Sequence, residues 1–426
     1  VVSTRTIEEQ ASGHVPGSDG YRRVMVAMFA AGVATFVLLY ATQALLPELH
    51  HAFGVTPAQA TLSMSLTTAG LAVGLLVAGP ASEVLGRTPL VAGSVWLAAV
   101  VACLCPFAWS WPAFLGLRLV EGLALAGLPA VATAYLREEL HPSALARATG
   151  LYIGGNAIGG MASRLLTAPV ADLAGWRWAM AAAAGLALAC ALAMTLTLPA
   201  SRNFVPRPRG RAGRSGMARA ALTDPALRHL YLLGACSVGT LIAVFNALGF
   251  RLTAAPYHLS LGAISLLYLV YPLGTVSSSV SGALADRFGR RAVLPAGCAL
   301  AMAGVLLTLL PSLVAVVAGL ACLTAGFFVM HGLASSWVAV RAHLAGASSS
   351  QAAAFYLCSY YVGSSVFGSL GGSAWSAGGW PGVTLLAVVL LTCSGVATAR
   401  LRTIPNLTPP DAQAVRAAAG RGATLP

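Results

Sequence analysis

The sequence predicts an all-α polytopic membrane protein, with twelve transmembrane helices in two pseudo-symmetric six-helix bundles. Three observations predict it: scarce charge, long apolar runs, and a repeat relating the two halves. Of 426 residues, 58% are apolar and 9% are charged, whereas soluble domains carry about 25% charged residues. A surface in water needs charge for solubility. Composition therefore excludes a soluble enzyme, a disordered chain or a disulfide-rich module. The apolar residues fall in runs of about twenty, the helix length that spans a hydrocarbon core of ~30 Å.

The polar tail 1–23 lacks the form of a secretory signal, and the first apolar run, 24–46, is longer than a signal's apolar segment. It reads as an uncleaved first span. The start at Val1 in place of Met reads as a GTG codon or a truncation. Five more spans follow at 59–78, 90–109, 113–136, 148–170 and 178–198, completing a first bundle over 24–199. An Arg-rich linker, 200–229, leads to spans at 230–252, 263–281, 292–310, 313–340, 352–373 and 383–399. These make a second bundle over 230–399, and 400–426 is a polar tail. The linker reads as a solvated connector and topology determinant, with anionic lipid headgroups as a secondary partner.

All 25 basic residues are Arg, against 12 acids, for a formal charge of +13. With the N-terminus inside, the inner segments hold 21 of them and the outer loops two. Arg-rich loops stay cytoplasmic, so both termini are expected inside, and the partner of the basic excess is the lipid bilayer rather than nucleic acid. The absence of Lys reads as a GC-rich genome. The eight cysteines lie in or beside apolar runs without a CxxC pair, which predicts small buried hydrophobes and no metal site. With no Lys there is no Walker A loop, and neither HExxH nor GxSxG occurs. No cofactor and no enzymatic activity are expected.

The halves repeat. Gly79-Pro-Ala-Ser-Glu83-Val-Leu-Gly86-Arg87 aligns with Gly282-Ala-Leu-Ala-Asp286-Arg287-Phe-Gly289-Arg290 at an offset of 203. Gly122 matches Gly326, and Gly175-Trp176 matches Gly379-Trp380, at 204. Tyr152-Ile-Gly-Gly155 matches Tyr360-Tyr361-Val-Gly363 at 208. Two related bundles rocking about a midplane site are the design of a secondary transporter.

The glycines of the loop after span 8 permit a tight turn between helices, and Asp286 can pair with Arg290. The pattern Gly282-x-x-x-Asp286-Arg287-x-Gly289-Arg290-Arg291 resembles the cytoplasmic gating loop of the major facilitator superfamily. The first-half copy departs from it: Glu83 replaces Asp, Val84 the first Arg, and Thr88 ends the basic pair. The resemblance implies that this loop steadies one access state and that the first-half latch is the weaker.

Span 4 carries Arg118-Leu-Val-Glu121-Gly122. Charge inside a span is expensive, ~2.5–3.5 kcal/mol on insertion scales, and residues three apart share a helix face and neutralise each other. Glu121 stands where the family has Gln in a motif implicated in proton transfer. Proton coupling and a purely structural buried pair are both open readings. Arg164 either joins this pair in one network or snorkels outward. Span 5, Gly150-Leu-Tyr-Ile-Gly-Gly155-Asn156-Ala-Ile-Gly159-Gly160, has small residues that let helices approach closely. It resembles the Gly-rich motif of drug:proton antiporters, with Asn156 in place of their Pro.

Tyr40, Gln43, Asn156, Asn246, His331, Tyr360 and Tyr361 are candidates for the substrate cavity, aromatic and amide groups suited to an amphiphile. A lone span His such as His331 reads first as a hydrogen-bonded structural residue. The resemblance covers 24–399 and includes the YnfM-type group of bacterial inner-membrane transporters, through Pro142-Ser143, Leu198-Pro-x-Ser-Arg202 and Ala334-Ser-Ser-Trp337. It implies a monomer in a bacterial plasma membrane that exports a small amphiphile in exchange for protons. Transport of a defined metabolite is the alternative, and a non-transporting receptor a third.

Overall fold

The computed structural model describes residues 13–204, 211–405 and 407. Residues 1–12 of the N-terminal tail, 205–210 of the linker, and most of the C-terminal tail lie outside them. The described chain is almost wholly helical. α1 (Asp19–Phe53) starts where the Ser18 side chain accepts from the Tyr21 amide. It loosens after Tyr40 through a short tight turn at Gln43–Leu45 and resumes over Leu46–Phe53. α2 (Pro57–Leu85) opens on a Thr56–Gln59 capping box, which satisfies amides the helix leaves orphaned. α3 (Arg87–Phe107), α4 (Trp111–Glu139), α5 (Leu145–Ala174) and α6 (Trp176–Thr197) complete the first half.

A short helix, α7 (Arg211–Thr223), lies inside the expected linker. Asp224 then caps α8 (Pro225–Thr253), which begins five residues before the expected span. α9 (Leu261–Phe288), α10 (Arg290–Leu307) and α11 (Leu313–Leu344) follow. The last helical stretch, Ser349–Thr403, is interrupted by non-helical backbone at Gly378 and Gly379, dividing it into α12 (349–377) and α13 (380–403).

Among the described residues, ten helical segments are long and apolar enough to cross a membrane. The Gly378–Gly379 break divides one of them in two. α5 falls short only in apolarity, because its glycines, Asn156 and Arg164 replace aliphatic side chains. Large apolar residues such as Val77, Leu97, Trp178, Val276 and Leu385 are exposed on the outer faces of the helices, a surface that suits lipid and not water.

The repeat is visible in the backbone. Gly86 (φ 91°) and Gly289 (φ 83°) turn the chain 203 residues apart, and Gly175 (φ 85°) and Gly379 (φ 57°) do so 204 apart. A side chain disfavours these left-handed conformations, which accounts for glycine at each corner. Packing repeats as well: α1 lies against α5, and α8 against α12. Gly155 and Gly363 allow the two close approaches, since a Cβ there would stand 2.6 Å from the Phe29 carbonyl oxygen and closer still to that of Ala235. The buried apolar side chains group by half, with Tyr40 and Tyr360 packed against the cores of both.

Candidate functional site

The site assembles around the loosened turn of α1. A helix end leaves carbonyls short of partners, and here the Arg118 Nη2 of α4 donates to those of Leu38 (3.2 Å), which also accepts from the Ala41 amide, and Leu39 (3.3 Å). Its Nε reaches the Ser63 carbonyl of α2 at 3.4 Å, and its Nη1 donates to Glu121 Oε2 at 2.6 Å. Both members of this ion pair are fully buried. Cys105 Sγ approaches the same carboxylate oxygen at 3.7 Å, and Glu121 Oε1 has no hydrogen-bond partner.

Arg164 neither joins this pair nor snorkels. It is 1% exposed and donates to the Gln43 side-chain oxygen and the Gly160 carbonyl. Its guanidinium lies 4.1 Å from the centroid of Tyr40, 4.7 Å from Tyr268 and 4.9 Å from Tyr271. The two buried arginines thus use different groups of one helix break: Arg118 the Leu38 and Leu39 carbonyls, and Arg164 the Gln43 side chain. Gln43 Nε2 in turn donates to Asn246 Oδ1 (2.8 Å), and Asn246 Nδ2 to the Gly368 carbonyl (3.3 Å). Gln43 and Asn246 are 203 residues apart, the repeat offset. Equivalent positions of the two halves thus meet across the pseudo-symmetry axis.

The hydrogen bonds joining the halves lie at this depth or beyond it, on the face opposite the termini. Ser365 Oγ donates to the Ser65 carbonyl at 2.7 Å. The Asp172 carboxylate at the end of α5 accepts from the amides of Leu261 (3.0 Å) and Gly262 (2.7 Å), the orphan donors at the start of α9. Leu46, Ala60 and Phe250 close the same end with a small apolar cluster. On the termini face, the described ion pairs each stay within one half: Arg87–Glu138 at 2.9 Å and Arg341–Asp224 at 2.8 Å.

The expected Asp286–Arg290 pair does not form. The position 203 residues after Glu138 is Arg341, so the second half has a base where the first has the acid that pairs with Arg87, and Arg341 pairs with Asp224. Asp286 and Arg287 are exposed, the latter over the Phe288 ring. Arg87 also donates to Ser82 and covers Phe204, while Glu83 is half-buried beside Gly79 and Gly86. The second-half loop is tied instead through Arg291, which donates to the Arg402 and Ile404 carbonyls.

The remaining candidates fall nearby. His331 is hydrogen-bonded to the Tyr356 hydroxyl at 2.9 Å and stacks on Phe327. Tyr360 lies 5.0 Å from His331 and 5.1 Å from Tyr361, centroid to centroid. Asn156 faces Gly32 of α1 with its Oδ1 buried and unpartnered. Sequence reasoning missed Tyr268, Tyr271, Tyr356 and Asp172. The pair Tyr268-x-x-Tyr271 before Pro272 was the available signal, since it places two aromatics on one helix face.

Two helical halves, a centre with buried charge, and a seal at one end make up a membrane transporter architecture. The solved structure of a bacterial homologue of the human lysosomal transporter Spinster, inward-facing and occupied, superposes with a TM-score of 0.71 at 16% identity, covering 91% of this chain and 97% of that one. The nucleoside transporter NupG gives 0.71 at 12% identity, over 89% and 99%.

The chain belongs to the Major Facilitator Superfamily, whose family model matches residues 24–356. It is 40% identical over 385 residues to the MFS-type transporter YybF of Bacillus subtilis, covering 89% of this chain and 94% of YybF. It is also 40% identical over 385 residues to the inner membrane transport protein YnfM of Escherichia coli, covering 90% and 92%. It is a multi-pass membrane protein and a secondary transporter of this superfamily.

Proposed function

We propose that this transporter exports a small amphiphilic organic molecule across a bacterial inner membrane in exchange for protons, with both termini cytoplasmic. The buried Arg118–Glu121 pair carries the reading. Glu121 has one oxygen on Arg118 and one without a partner, so the carboxylate can exchange its ion pair for a proton. When it does, Arg118 keeps the α1 and α2 carbonyls. Protonation thus changes the hold between α4 and the α1 turn, the segment that also touches Asn246 of the other half.

The cycle follows from the two ends. With the outer seal closed, substrate reaches Tyr40 and Tyr360 from the cytoplasm. Rocking of the halves parts the Ser65–Ser365 and Asp172–Gly262 contacts and exposes the same residues outside. The Gly79–Arg87 and Gly282–Arg290 loops act at the inner ends as gating loops.

The test is proton release from proteoliposomes on addition of an amphiphile panel, with wild type and Glu121→Gln compared. Substrate-driven proton movement in wild type and substrate movement without protons in the variant support the coupling. Equal proton movement in both removes Glu121 from it. Movement of a sugar or amino-acid derivative, with none of the amphiphiles, favours the metabolite reading.

A further inference from the structure

Arg164 is a cation buried at membrane depth, and buried charges are ordinarily paired. Its described partners are all neutral: an amide oxygen, a backbone carbonyl and three tyrosine rings. Among the described residues it forms no ion pair. Of the other buried arginines, Arg118 has its own carboxylate three residues away, Arg341 pairs with Asp224, and Arg251 at the end of α8 meets the Thr308 and Leu310 carbonyls; Arg118 is the one that lies as deep as Arg164. The difference is not one of access, because both are enclosed.

The surroundings of Arg164 add a second observation. The Tyr271 hydroxyl is buried without a hydrogen-bond partner, a donor standing beside the unpaired cation. Tyr40 and Tyr271 are also only half-buried, and Arg164 of the first half meets Tyr271 of the second, so these rings lie at the junction of the halves. Ring contacts continue from Tyr271 to Phe328 at 6.4 Å, and through Phe327 to His331 and Tyr360. Together these make an aromatic cluster with one positive charge beside it.

We propose that Arg164 is the anchor for the negative charge of the transported molecule, an organic carboxylate whose apolar body lies on Tyr40, Tyr271 and Tyr360. A planar guanidinium matches a carboxylate with paired donors, and the Tyr271 hydroxyl supplies a third. A cationic amphiphile meets like charge at the same place. Binding of the anion also draws on the Arg164–Gln43–Asn246 chain, so it acts on a contact between the halves.

This rests on the reading that substrate enters between the halves, and the test separates the two. Purified protein in detergent is screened by thermal stabilisation against aromatic and aliphatic carboxylates, each beside its primary amide and its amine. Stabilisation confined to carboxylates is expected. Arg164→Gln weakens it by about thirtyfold or more, the scale for removing one partner of a buried charge pair, and Arg164→Lys retains part of it. Tyr271→Phe, which leaves the cage filled, weakens it less.

If carboxylates bind but drive no protons, the coupling reading fails and the anchor stands. Stabilisation by the amines or amides instead, unchanged carboxylate binding in Arg164→Gln, or no carboxylate bound across the panel, overturns the proposal.

Discussion

Replacing Asp172 by alanine should open the seal on the face opposite the termini, by an amount that the geometry sets. Its carboxylate accepts from the Leu261 and Gly262 amides at 3.0 and 2.7 Å, and Ser260 Oγ accepts from Ala263 at 3.2 Å. The start of α9 is thus capped in part by its own chain and in part by the other half. Removing a capping oxygen costs ~0.5–2 kcal/mol, and a carboxylate at a helix N-terminus adds ~0.3–1 kcal/mol. Asp172 is exposed, so screening favours the lower part of this range, about 1–2 kcal/mol.

These contacts join the halves across the seal, so their loss should raise the ratio of open to closed molecules at that face about 5- to 30-fold. Asp172→Asn, which keeps an acceptor and loses the charge, should produce a smaller rise. Spin labels at Trp109 and Leu310, both exposed at the sealed face, in a chain whose eight cysteines are replaced, report the separation by electron–electron double resonance. A longer-distance population that grows in Asp172→Ala and less in Asp172→Asn is expected. Identical distance distributions in all three proteins would refute the assignment of Asp172 to the seal.

Three further outcomes follow from the same contacts. Arg118→Ala leaves Glu121 buried without its counter-charge and should destabilise the protein by ~3–5 kcal/mol; the double replacement Arg118→Leu with Glu121→Leu should recover much of the melting temperature and none of the proton coupling. Gly155→Ala forces a Cβ to within 2.6 Å of the Phe29 carbonyl oxygen and should cost about 1–3 kcal/mol, whereas Gly154→Ala, with open space around it, should be neutral or mildly stabilising; thermal unfolding in detergent compares them. Arg87→Glu should weaken the inner end of the first half by losing Glu138, and the reversed pair Arg87→Glu with Glu138→Arg should restore it, read from the yield of folded protein.

Much of this was legible in the sequence because membrane burial writes itself into composition over whole spans. The apolar runs, the 203-residue repeat and the Gly86 and Gly289 corners are all single-residue or periodic signals, and the structure bears them out. The identity of the partners was not legible. Arg164 stood out, but nothing local says that it meets Gln43, because that depends on how α1 loosens after Tyr40. Tyr268 and Tyr271 lie in an apolar run, where an aromatic facing a cavity and one facing lipid look alike.

Gly282–Arg291 is the fuller match to the family's gating loop, but its Arg291 meets the Arg402 and Ile404 carbonyls, partners far off in sequence that no local pattern records. Asp172 looked like a loop residue, and its partners are backbone amides of the other half, which no side-chain pattern records.

The claim on which coupling depends is that Glu121 takes up a proton when its ion pair with Arg118 opens. Infrared difference spectra of the reconstituted protein across a pH change read this directly, through the carbonyl stretch of a protonated buried carboxyl. A band that appears as pH falls in wild type, is absent from Glu121→Gln and persists in Asp172→Asn is the predicted result. The same band in wild type and Glu121→Gln, or no such band at any pH that supports transport, would contradict it.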